Sequence, residues 1–305
     1  MTAPALPDIQ RQGLGIGFML GSALCLSVMN VVVKWLTLAE YSILQIVFIN
    51  AICGFFSVGG WMVFSGRLHW ARRVRPLLLV YLVAALTSCL TLFYAFGHGQ
   101  LAQISTVVAA SPLLVAGLSF VFLGERLSRG QVSLILLGFA GILLVLRPGG
   151  DMGEAGAVFP VVVALCGTAA LAVSQVLVRK MSRSVHTAAV MLYFYLAASV
   201  VTGALVFGGG QWQAVDMADI PLFLGCAAAD VFAMFLMYSA FRCAPASMVM
   251  PFQYTNIVWS ALMGYVIWQE TPDIWTWAGA MVIIGTGILF TRTALLRKSV
   301  MAAQT

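Results

Sequence analysis

The chain has 305 residues, 62% of them hydrophobic and only 9% charged, where a soluble domain carries about 25% charged residues. That much apolar surface argues against a soluble globular protein and for burial in lipid. The formal net charge is +6, but the basic residues form no single patch, which argues against a nucleic-acid partner.

In chain order, residues 1–12 read as a short polar tail on the cytoplasmic side. A spanning helix needs about 20 mostly apolar residues. Five such runs follow, at 13–34, 43–65, 76–96, 102–123 and 130–147. The first is too long for a signal-peptide core of about 7–15 residues and is kept as a permanent helix. Residues 148–156 open with Pro148, Gly149, Gly150 and Asp151, turn chemistry that marks a periplasmic linker. Five more runs occupy 157–179, 188–208, 221–241, 247–268 and 274–292, and a second cytoplasmic tail covers 293–305. The fold class expected is an all-α polytopic membrane protein with ten transmembrane helices.

The two sets of five are copies. An offset of 145 residues takes Ala95-Phe96 to Ala240-Phe241, Glu125 to Glu270, Arg147 to Arg292, Lys34 to Arg179 and Asn30 to Gln175. The chain is a duplicated unit, a first five-helix repeat over 13–147 and a second over 157–292. Because five is odd, sequential copies lie in the membrane with opposite topology, an arrangement typical of secondary transporters. The halves should superpose after rotation about an axis in the membrane plane, with Ala85 over Asp230.

Lysine and arginine fix the orientation. With the amino terminus in the cytoplasm, 14 of the 16 basic residues fall in cytoplasmic segments, and only Lys34 and Arg147 fall outside. Both termini are therefore expected in the cytoplasm. Trp61, Trp70, Trp212, Trp268, Trp275 and Trp277 near span ends fit interfacial belts. The six cysteines lie in or beside apolar runs with no CxxC pair, and read as small buried residues.

The stretch 92–128, LFYAFGHGQLAQISTVVAASPLLVAGLSFVFLGERLS, resembles the signature of EamA-type transporters in the drug/metabolite transporter superfamily. A weaker copy stands at 237–271, where the proline has moved to Pro251 and Leu-Gly-Glu-Arg has become Trp-Gln-Glu-Thr. The resemblance covers 13–292. It implies an exporter with a central cavity lined by helices of both repeats and with helices 5 and 10 at the periphery.

Asp230 is the acid placed deepest in a span, near the middle of helix 8. An ionised carboxylate there costs about 2.5–3.5 kcal/mol on insertion scales, so it faces a cavity or a partner. It is the candidate for substrate binding and for proton coupling, against the plainer role of an acid that bonds helix to helix. On helix 9, Pro251, Gln253, Tyr254 and Asn256 lie within six residues. Proline frees a backbone carbonyl, and Gln253 and Asn256 share a face, so this group is a second substrate-binding candidate. Polar glue between helices is the alternative.

Asn30 with Lys34, and Gln175 with Arg179, repeat at spacing four. They suggest two pseudo-symmetric gates, Asn30 and Gln175 toward the substrate, Lys34 and Arg179 as gating or coupling groups. Snorkelling bases with helix-bonding amides are the alternative. Glu125 and Glu270 are expected to cap helices and bond loops, Glu125 just before a capping pattern at Ser128. Gln45 and Asn50 are expected to be helix–helix contacts. Tyr193, Tyr195, Phe232, Phe235, Tyr254 and Trp259 would tolerate an apolar solute side chain.

His69, His98 and His186 share no ligand spacing, and HExxH, GxSxG and Walker A sequences are missing from the chain. The expectation is no enzyme, no cofactor and no metal. The partners are the bilayer, a small solute and, through Asp230, a proton. The function expected is a secondary transporter of the bacterial inner membrane, an exporter of an amino acid or another cationic or zwitterionic metabolite, working by alternating access. The alternatives are an uncoupled facilitator or exchanger and, from a different class, an intramembrane lipid-acting enzyme.

Overall fold

A computed structural model of the chain describes residues 8–64, 75–111, 113–115, 117–118, 129–146, 158–181, 187–243 and 250–302. Among them run ten labelled helices: α1 (Asp8–Leu38), α2 (Ile43–Phe64), α3 (Arg75–His98), α4 (Leu101–Val108), α5 (Arg129–Leu146), α6 (Val158–Met181), α7 (Thr187–Gly208), α8 (Ile220–Cys243), α9 (Thr255–Trp268) and α10 (Ile274–Ala302). A 3-10 turn, Met250–Tyr254, leads into α9.

Among the described residues six helices, α1, α2, α3, α6, α7 and α8, are long and apolar enough to cross a membrane. The 22 residues of α2 reach about 33 Å, against a hydrocarbon core about 30 Å thick. Large apolar side chains such as Phe56, Phe64, Leu79, Val83, Leu136 and Val200 stand exposed. A soluble protein rarely tolerates so many; lipid solvates them here.

Packing follows the duplication. The most extensive helix pairs are α1 on α8, α3 on α6, α5 on α10 and α2 on α7, followed by α1 on α9 and α2 on α8, with α4 against both α9 and α6. Moving every helix five places exchanges α1–α8 with α6–α3 and α1–α9 with α6–α4. The pairs α2–α7, α4–α9 and α5–α10 map onto themselves. The halves are thus interleaved, each first-half helix packing mainly against the second half.

Several elements differ from the sequence expectation. The fourth helix is interrupted: α4 ends at Val108, Ala109 and Ala110 form a turn, and helix resumes at Ser111. Val108 is four residues before Pro112, the carbonyl a proline ring excludes. The ninth begins in a 3-10 turn for a related reason, since Pro251 has no N–H to give an α-helix. Toward the carboxyl end, α10 runs 29 residues, through the expected span and most of the expected tail, although its apolar part is only Ile274–Leu289.

All six cysteines are free, but only Cys226 is fully buried, and Cys166 is exposed. A thiol is apolar enough to face lipid. Phe232 and Phe235 do not line an interior either. They are 59% and 58% exposed, because helical periodicity turns them to the outer face of α8.

Candidate substrate site

Along α8, Leu224, Phe232 and Phe235 are exposed while Phe223, Cys226, Ala227 and Ala233 are buried. At 100° per residue, Asp230 falls in the middle of the buried arc, opposite the exposed one. The carboxylate therefore faces the protein interior, where it is partly open. Its Oδ2 accepts two hydrogen bonds, one from Asn50 Nδ2 on α2 at 3.1 Å and one from the Tyr195 hydroxyl on α7 at 2.9 Å. Asn50 is 6% exposed and Tyr195 3%. Three helices from both halves thus meet at one carboxylate. Cys89 and Cys226 pack together in the adjacent apolar cluster.

A second polar group lies along the α1–α9 seam. Asn256 Nδ2 donates to the Ala23 carbonyl at 3.1 Å and to Ser27 Oγ at 2.9 Å. Ser260 lies 3.4 Å from Ser27, and Ser105 of α4 donates to Ser260 at 2.7 Å. Asn256 is committed to α1 by these bonds, the polar-glue arrangement. Tyr254 is buried among Ala110, Ile142 and Ile283, between α5 and α10. Gln253 is half-buried, and the Pro251 side chain lies outside the described residues. The residues of this stretch do not converge on Asp230.

A third group closes the end of α1. Lys34 is buried, pairs with Glu270, and donates to the Gly99 carbonyl at 2.8 Å. Its ammonium also lies 5.1 Å from the Trp268 ring centroid, within cation–π range. Glu270 in turn accepts the Leu101 N–H at 3.2 Å, capping α4 from the other half of the chain. Glu270 is held there by the way α9 ends: Gln269 turns left-handed at φ 57°, and the Glu270 N–H returns to the Gly264 carbonyl at 3.1 Å. Lys34 is therefore bonded inward instead of snorkelling to water. Sequence reasoning named Lys34 and Glu270 separately and missed that they pair.

Asn30 is buried with Oδ1 unpaired among the described residues, and Gln175 is half-buried on α6. The Arg179 side chain, Glu125 and Ser128 lie outside the described residues. Gln45 anchors a loop: its amide donates to the Gln213 carbonyl at 2.8 Å and accepts the Gln213 N–H at 3.0 Å. Asn50 and Tyr195 were legible only as a helix contact and an aromatic side chain, since nothing in one dimension links either to Asp230.

The model of the EamA-like transporter family matches residues 13–147 and again 158–293. The chain belongs to that family. It is a membrane transporter built from two copies of the family's unit. A pseudopaline exporter of Pseudomonas aeruginosa is 28% identical over 286 residues, covering 94% of this chain and 98% of that protein. A riboflavin transporter of Rhizobium johnstonii is 23% identical, covering 94% of each chain. An S-adenosylmethionine uptake transporter of Rickettsia bellii is 24% identical over 181 residues, 59% of this chain and 60% of that one. A solved crystal structure, 19% identical, superposes with a TM-score of 0.60 over 95% of this chain and 98% of the other, which supports the fold.

Proposed function

We propose that this transporter is a secondary exporter of a small cationic or zwitterionic metabolite, such as an amino acid, in a bacterial inner membrane. It works by alternating access between two inverted five-helix repeats, with both termini in the cytoplasm. The observation that carries this is Asp230: a carboxylate on an interior helix face, held by helices of both halves and, among the described residues, through neutral donors only. A carboxylate so placed offers its charge to a solute or a proton.

Export follows the likeness to the pseudopaline exporter, which extends over nearly the whole chain. The Lys34–Glu270 pair supports alternating access, because it ties α1 and α4 of one half to the end of α9 in the other. Breaking it would free that end to open. Arg179, at the offset from Lys34, is the corresponding gating group toward the other end of the molecule. With no nucleotide motif in the chain, the driving force is a gradient, and Asp230 is the group that a proton would load.

Flux in proteoliposomes tests this reading. The reconstituted protein should move solutes from a metabolite extract, faster under an imposed proton gradient. No flux of any solute would overturn it. A periplasm-active phosphatase fused to the carboxyl terminus should stay inactive; strong activity would sink the ten-span topology.

A further inference from the structure

The repeat offset takes Asn50 to Tyr195. The two residues that grip Asp230 are thus equivalent positions of the two halves, on α2 and α7, helices that pack directly on each other. The position equivalent to Asp230 is Ala85. One carboxylate therefore stands beside a pair of symmetry-related donors, with a methyl group at its counterpart position.

The hydrogen-bond inventory shows what the place lacks. Both donors converge on Oδ2, and Asp230 Oδ1 has no hydrogen bond among the described residues. Asn50 commits its NH2 to the carboxylate. Its other atom, Oδ1, is buried without a partner among the described residues. While Asp230 is ionised the amide cannot be turned round, because its oxygen would then face the carboxylate oxygen. Two acceptors, one of them charged, are left without a donor among the described residues. A buried acceptor without a donor is costly, and water or a guest must supply the protons.

The best match is a group with positive charge and several N–H donors on one atom, a primary ammonium. A trimethylammonium carries the charge but no donor, and would leave the Asn50 oxygen unsatisfied. A transition metal is disfavoured, since no group of three or more His, Cys, Asp or Glu able to hold one occurs among the described residues.

A further residue holds the arrangement. Gly54 lies one turn beyond Asn50 on α2, and a Cβ there would come within 2.5 to 2.7 Å of three Tyr195 ring atoms. A ring cannot yield as a flexible chain does. Only glycine lets Tyr195 sit where its hydroxyl reaches Asp230.

We propose that Asp230, Asn50 and Tyr195 form the binding site for a primary ammonium group of the transported solute, with Gly54 as a positioning residue. This rests on the transport reading above. The test uses proteoliposomes of the full chain loaded with a metabolite extract and a labelled panel: leucine, phenylalanine and cadaverine, each beside its N-trimethylated form. At least one primary amine should move, and its trimethylated form at least about tenfold more slowly, the scale of one lost bond to a charged group. Asn50→Leu, Tyr195→Phe and Gly54→Ala should each slow the amine and narrow that discrimination. Tyr195→Phe removes a single oxygen and carries the test if the other variants fail to fold. Equal flux of amine and trimethylated forms, or discrimination unchanged in Tyr195→Phe, overturns the ammonium site. Movement of other extract solutes with no primary amine among them also overturns it and leaves transport standing. No movement of any solute removes the transport reading and this site with it.

Discussion

The α1 seams and the α6 seams are the same place in the two halves, yet their chemistry differs. Where α1 meets α8 and α9, Ser22 donates to the Ala233 carbonyl at 2.7 Å, and Ser27 joins Asn256 and Ser260. At the matching positions of α6, Ser22 becomes Gly167, and Ser27 becomes Ala172 facing Val115. A Cβ at Gly167 would sit 2.5 Å from Thr91 Oγ1 and 3.0 Å from the Leu92 side chain, so that seam closes by close contact. Either solution holds two helices together, because in lipid both small-residue packing and interhelical hydrogen bonds serve. The fold asks only for one or the other. Asp230 against Ala85 is the same kind of contrast, but there a hydrogen-bonding carboxylate replaces a methyl, and packing alone gives no reason for it.

That contrast can be broken first at Asp230. Asp230→Asn should keep the fold, since an amide can still bond Tyr195, and should lower flux in proteoliposomes at least about tenfold, the scale of losing a charged partner. It should also flatten the pH dependence of flux, with Tyr195, Cys89 and Cys226 as the other titratable groups nearby. Wild-type flux with an unchanged pH profile would make Asp230 helix glue like its neighbours.

The next largest effect concerns the end of α1. Lys34→Met leaves the partly buried Glu270 without its cation, which should cost about 1–3 kcal/mol in unfolding measurements in detergent. Adding Glu270→Gln should recover a large part of that. If the two losses simply add, the pair is not coupled and the closure argument fails. In vesicles the double variant should also raise the labelling of a cysteine placed at Gln100.

A smaller effect sharpens the comparison of the seams. Asn256→Leu removes the amide from the α1–α9 seam and leaves its serines. Stability should fall by only about 0.6 kcal/mol, the average for such contacts, and flux should stay near wild type. A transport loss as deep as that of Asp230→Asn would return Asn256 to the solute path. Smallest of all, Tyr254→Phe should change flux little, since its ring lies among α5 and α10 side chains away from Asp230. A changed solute preference would place it in the path after all.

Composition, the ten apolar runs, the 145-residue offset and the basic bias all follow from side-chain type and spacing. For that reason the linear sequence carried the membrane class, the duplication and the family likeness. It also singled out Asp230, because a carboxylate in an apolar run needs explaining wherever it points. What it could not carry was partnership. Asn50 and Asp230 are 180 residues apart, Lys34 and Glu270 236, and no spacing rule joins them. Nor could it say that Phe232 turns to lipid or that Tyr254 fills the α5–α10 interface. Those outcomes depend on which face of each helix meets which neighbour, and only the packed structure sets that.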